Sequence, residues 1–110
     1  MNKEKLLGLA FRSKEITIEG DKYLVKEMNA AIAQEYEASL YKIIGQSVKY
    51  DASKAKTNLV LLTLFGTDGN RIFEDKDFGL VEQLPAHVVD MVFQVASNLN
   101  NLDPGETEKN

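Results

Sequence analysis

With 110 residues, 44% of them apolar, and a net charge of −4, the chain is long enough for one packed domain and short for two. It has no cysteine, which excludes disulfides, thiolate metal sites and thiol catalysis. Its basic residues are spread from Lys3 to Lys109 without a dense block, which argues against nucleic acid. No apolar run nears the roughly 18 residues of a membrane span.

The opening stretch, MNKEKLLGLAF, has an apolar part from Leu6 to Phe11. That is too short for a signal-peptide core of about 7–15 residues, and Arg12 and Lys14 follow at once. Residues 1–14 read as a short leading helix or docking arm. Residues 15–27 read as a hairpin: Ile16 and Ile18 alternate with Glu15, Thr17 and Glu19, Gly20-Asp21 supply turn chemistry, and Tyr23 and Val25 alternate with Lys22 and Lys26. A ribbon of this length needs a cover for its apolar face. The next segment is the expected cover, a helix with Asn29 as N-cap, a stripe of Ile32, Tyr36, Leu40 and Ile43, and Gly45 as its stop. From Gln46 to Lys56 the chain is polar, with Asp51 or Ser53 suited to cap a short helical turn.

The run NLVLLTLF, 58–65, is short and apolar, and Gly66-Thr67-Asp68-Gly69-Asn70 follow as a turn cluster. It reads as a buried strand opening a second short hairpin toward Arg71-Ile72-Phe73. One helix from about Ala52 to Phe65 is the competing reading. Glu74, Asp75 and Asp77 then suit the positive end of a short helix through Leu80 and Val81. Pro85 opens a long amphipathic helix with Val88, Val89, Val92, Val95, Ala96 and Leu99 on one face. Residues 103–110, with Pro104 and Gly105, read as a flexible polar tail. The expectation is a small α+β domain over 1–102: an N-terminal hairpin, a helix-rich region with room for a second short hairpin, and a long C-terminal amphipathic helix.

Little in the chain points to catalysis. Asp68, Glu74, Asp75 and Asp77 raise a divalent-cation site, but Asp68 is followed directly by Gly69 and then an apolar Ile72-Phe73 pair. That lacks the alternating oxygen ligands of a calcium loop and fits a turn and a helix start better. His87 is the only histidine and has no nucleophile in a recognisable motif beside it. The tyrosines and phenylalanines, among them Tyr36, Tyr41 and Tyr50, suit core packing in a domain this small. The last helix carries more apolar surface than a small core readily covers, since Met91 and Phe93 widen its face. Val88, Met91, Val92, Val95 and Leu99 are therefore the candidate protein-binding residues. The alternative is that Leu6, Phe11, Tyr36 and Phe65 already cover that face.

The stretch from Asn58 to Asp103 resembles the C-terminal half of tail assembly chaperones from long-tailed bacteriophages. The likeness rests on the apolar run Leu59 to Phe65, Asp68-Gly69, Phe73, the acidic residues Glu74 to Asp77, the proline-led helix Pro85 to Ala96 and the closing Leu99-Asn100. Upstream, ITIEGDKYLVKEMN is similar to the hairpin preceding that family's first helix. The pattern spans about residues 15–102, leaves out the N-terminal arm, and departs at Asn101, where many members have glycine. The resemblance implies a non-catalytic protein without cofactors that coats the tape measure protein while the tail tube polymerises. It further implies self-association, recruitment of tail tube protein through a frameshifted longer product, residence in the host bacterial cytoplasm, and absence from the mature virion. Two other functions fit the residues alone: a carboxylate-metal enzyme, and a small adaptor for one folded partner.

Overall fold

A computed structural model describes residues 2–102. The elements in order are α1 (Lys3–Leu7), β1 (Ser13–Ile18), β2 (Asp21–Lys26), α2 (Ala30–Ser39), β3 (Tyr41–Ile44), β4 (Ser47–Tyr50), α3 (Ala55–Thr63), β5 (Leu64–Gly66), a 3-10 turn (Asp75–Asp77), α4 (Phe78–Val81) and α5 (Ala86–Leu99). The class is α+β, as the sequence implies. The tail expected at 103–110 lies outside the described residues.

β1 and β2 form the expected hairpin, in a register that pairs Ile18 with Asp21. The turn residues are therefore Glu19 and Gly20, one position earlier than the sequence suggested, and both have positive φ, 51° and 86°. A two-residue turn with both central residues left-handed matches the twist of the strands it joins. At the open end, the Glu27 N–H bonds the Arg12 carbonyl at 2.8 Å and the Arg12 N–H bonds the Glu27 carboxylate at 2.9 Å. β5 adds to β2 as a third antiparallel strand, giving the order β1-β2-β5.

Asn29 caps α2 as expected, its side chain accepting the Ile32 N–H at 2.9 Å. The helix ends at Ser39, earlier than the expected stop at Gly45. The Ser39 hydroxyl donates back to the Tyr36 carbonyl and the Leu40 N–H tightens onto the Glu37 carbonyl, which closes the last turn. The aromatic and β-branched residues that follow then enter a second hairpin, β3–β4, around Gly45 at φ 62°. Ile43, placed on the helical stripe by its spacing, is on that hairpin. Nor does α2 cover the first hairpin. That cover comes from α5, which packs on both β1 and β2.

The run at 58–65 is helix through Thr63 and strand only from Leu64, so the strand expected there is corrected and the helical alternative holds for most of it. Leu59, Val60, Leu61 and Thr63 are all buried, because α3 lies between α2, α4 and α5. Burial on nearly every side removes the polar positions that would reveal a helical period. Thr63 is tolerated there because its hydroxyl bonds the Leu59 carbonyl at 2.6 Å. A remnant of the expected second hairpin survives: after the 66–70 turn the chain returns and Phe65 bridges Arg71.

Three further signals are satisfied locally. The Asp68 carboxylate accepts the Asn70 N–H at 3.0 Å and Gly69 takes φ 90°, so this is a turn. Glu74 and Asp77 cap each other's backbone at the head of the 3-10 turn and α4. The Pro85 carbonyl accepts from Val88 and Val89 at 3.0 and 3.2 Å to start α5. At the other end of α5, Asn101 has φ 56° and the Leu102 N–H reaches back to the Ser97 carbonyl at 2.8 Å. That is a left-handed helix stop, where glycine is preferred and asparagine is the next choice. Asn100 also ties the molecule together: its side-chain oxygen accepts the Met28 N–H at 2.8 Å while its amide donates to the Ala96 carbonyl. The core between these elements holds Val25, Leu59, Val60, Val81, Val92 and Ala96, all fully buried.

Candidate functional site

Of the five candidate residues on α5, two are buried in the molecule and three are half-buried. Val92 is 0% exposed and Val88 is buried. Met91, Val95 and Leu99 are half-buried, and Val95 and Leu99 pack against the core. Leu6 and Phe11 are not what covers them, since both are exposed. His87 is exposed too, and Asp68 is occupied by its own turn.

Exposed apolar side chains concentrate instead in two places. One is the N-terminal segment, where α1 buries nothing and Leu6, Leu7, Leu9 and Phe11 face solvent, Leu7 at 81%. The other is the β3–β4 ribbon. Every residue of both its strands is exposed, and it forms a two-stranded sheet of its own. Isolated ribbons of this size are marginal in water unless something packs on them.

The register sorts the ribbon's side chains. Tyr41 stands opposite Tyr50 and Ile43 opposite Val48, all on one face; Lys42 opposite Lys49 and Ile44 opposite Ser47 are on the other. The two tyrosines meet edge to face, with ring centroids 5.6 Å apart. Ile43 is 77% exposed, so this apolar face is open. Tyr41 and Tyr50, expected in the core, are here, whereas Tyr36 is buried and its burial pushes the phenol pKa up. On the lysine face, Lys42 pairs with Asp51 at 3.4 Å, and Lys49 has no ion-pair partner among the described residues. The Asp51 carboxyl is held below the usual carboxylate range by the Ser53 backbone N–H first and by Lys42 after it.

Backbone phase adds a second property. The Asp51 N–H bonds the Leu40 carbonyl at 2.5 Å, which makes that pair a hydrogen-bonded one. Antiparallel pairs alternate, so Lys42 and Lys49 bond each other while the N–H and C=O groups of Tyr41, Ile43, Val48 and Tyr50 point outward. Among the described residues both outer edges of the ribbon are therefore unpaired.

Charge follows the same division. Residues 1–14 carry Lys3, Lys5, Arg12 and Lys14 against Glu4, and the ribbon carries Lys42 and Lys49 with no carboxylate, in a chain whose net charge is −4. The two apolar projections are cationic and the body is acidic. Among the described residues no cluster of three or more His, Cys, Asp or Glu side chains is placed to hold a metal. No helix among them is long and apolar enough to cross a membrane.

The signal for the ribbon was present in the sequence as YKII-GQ-SVKY, two β-rich runs around a glycine turn. Its helical spacing with Ile32 and Tyr36 concealed it. Neither a protein-family model nor a curated protein matches the sequence. Among solved structures, the fold is similar to that of the bacteriophage HK97 tail assembly chaperone, with a TM-score of 0.64 and 19% sequence identity over 90% of this chain and 98% of that one. The shared fold extends over nearly the whole of both chains.

Proposed function

We propose that this chain is a tail assembly chaperone of a long-tailed bacteriophage, acting without catalysis by covering apolar segments of the tape measure protein. The observation that carries the reading is the open apolar face of the β3–β4 ribbon on a fold shared with such a chaperone. A very long client without a globular core exposes apolar stripes along its length and aggregates if left bare. A small domain with an uncovered apolar face can mask one stretch, and many copies can mask the whole. The acidic body keeps the coated complex soluble, and the cationic projections are directed at the client.

In this reading the protein works in the host bacterial cytoplasm, associates with itself along the client, and leaves before the virion is complete. A longer frameshifted product recruits tail tube subunits. Met91, Val95 and Leu99 form a secondary contact beside the core, while Val88 and Val92 hold the helix that presents them.

Co-expression with the tape measure protein tests this. The native chain keeps that client in the soluble fraction. A variant combining Tyr41→Ser, Ile43→Ser and Val48→Ser lowers the soluble client by about tenfold while its circular dichroism stays unchanged. Equal client solubility with and without the native chain overturns the reading.

A further inference from the structure

We propose that the β3–β4 ribbon captures its partner by strand addition along the β4 edge, and that the segment it takes is extended, with apolar and acidic residues in alternation. The inference rests on the client-binding reading above and names the chemistry of the contact.

Three properties of the ribbon converge on this partner. Val48 and Tyr50 turn their N–H and C=O groups outward on β4, and among the described residues no other strand pairs with them. An unpaired edge is a template for another strand, whose backbone supplies most of the attraction. An added strand continues the pleat, so its alternate side chains divide between the ribbon's two faces. Apolar ones extend the surface of Tyr41, Ile43, Val48 and Tyr50; the intervening ones arrive beside Lys49, with Lys42 one strand further in. Acidic residues at those positions give Lys49 the carboxylate that the described residues do not provide. A helix lying on the apolar face would use neither the open edge nor the lysines. Of the two edges, β4 fits an acidic strand better, because it carries Lys49, whereas Lys42 on β3 is already paired with Asp51.

The test uses the full chain and a fluorescent peptide of about seven residues that alternates glutamate and valine. Its anisotropy rises on titration with the native chain. Replacing every glutamate by lysine weakens binding by about tenfold or more, as does Lys49→Glu in the protein. The decisive pair is Val48→Pro against Val48→Ala. Proline removes an outward N–H and spares the bonds inside the ribbon, whereas alanine trims the side chain and keeps that N–H. Binding falls about tenfold or more with Val48→Pro and by less than about threefold with Val48→Ala.

Equal loss in the two variants, equal affinity for the lysine peptide, or no binding of the glutamate peptide overturns strand addition. If Val48→Pro instead dissociates a self-associated form in sedimentation velocity while the peptide does not bind, the edge serves a second copy and the proposal is lost. Client solubility measured with the same variants separates the two ideas. A native chain that rescues the client but ignores the peptide sinks only the strand-addition proposal, whereas one that fails to rescue the client sinks the chaperone reading itself.

Discussion

Between Ser13 and Lys26 an antiparallel hairpin carries Ile16 and Val25 into the core beneath α5, and β5 pairs with its inner strand. Between Tyr41 and Tyr50 a second hairpin, also with a two-residue turn, carries Tyr41, Ile43, Val48 and Tyr50 into solvent. The local chemistry is alike: β-branched and aromatic residues, a glycine with positive φ in the turn, lysines on the opposite face. What differs is the surroundings, so burial here is decided by topology and not by the hairpins' own composition. The first hairpin builds the domain, and the second is free to act on something else.

That contrast can be broken most strongly through the core. Leu59→Ala, at a position with no exposed surface, lowers unfolding free energy by about 2–5 kcal/mol in urea titration, whereas Ile43→Ala on the ribbon changes it by less than about 0.5 kcal/mol. Similar losses at both positions would show that the ribbon is part of the core. Next comes the tie across the first hairpin's exit. Asn100→Ala leaves the buried side of the Met28 N–H without its acceptor and costs about 1–3 kcal/mol by the same measurement.

A gain is expected at the first turn. Glu19 holds a left-handed conformation that asparagine tolerates better, so Glu19→Asn raises the thermal midpoint, by about 0.5–1 kcal/mol in stability. The smallest effect is electrostatic. Glu27 has its pKa lowered chiefly by the Arg12 backbone N–H, so its contribution is present above the unfolded carboxylate value and fades as pH falls through the lower folded one. Glu27→Gln should therefore flatten the acid limb of the stability profile, and an unchanged limb would assign that pH dependence elsewhere.

Much of the first region was legible because its signals are local. The alternation about Gly20, the Asn29 cap, the Asp68-Gly69 turn and the Pro85 helix start each follow from a few neighbouring residues, and each is where the sequence places it to within a residue. The Leu99-Asn100 ending was legible as a pattern, while its reason, a bond to Met28, spans most of the chain. The misreadings have a common origin. α3 looked like a strand because neighbours bury it nearly all round, and Tyr41–Ile44 looked helical because nothing buries it and its spacing happened to continue the α2 stripe. Val88 and Val92 were offered for binding but are buried for the same reason. A broad apolar face on α5 signals burial as readily as binding, and only the packing of β1, β2 and α3 against it decides which.

The isolation of the second ribbon has a consequence over evolutionary time. The strand side chains between Tyr41 and Tyr50 are all exposed, so, Gly45 in its left-handed turn and Tyr50 near the buried Tyr36 apart, this segment can drift quickly at little cost to folding. A lineage could retune it to a changing guest while the scaffold beneath stays fixed. Sequence divergence among proteins of this shape should then be greatest at that projection, and the constraint on it should come from the molecules it meets.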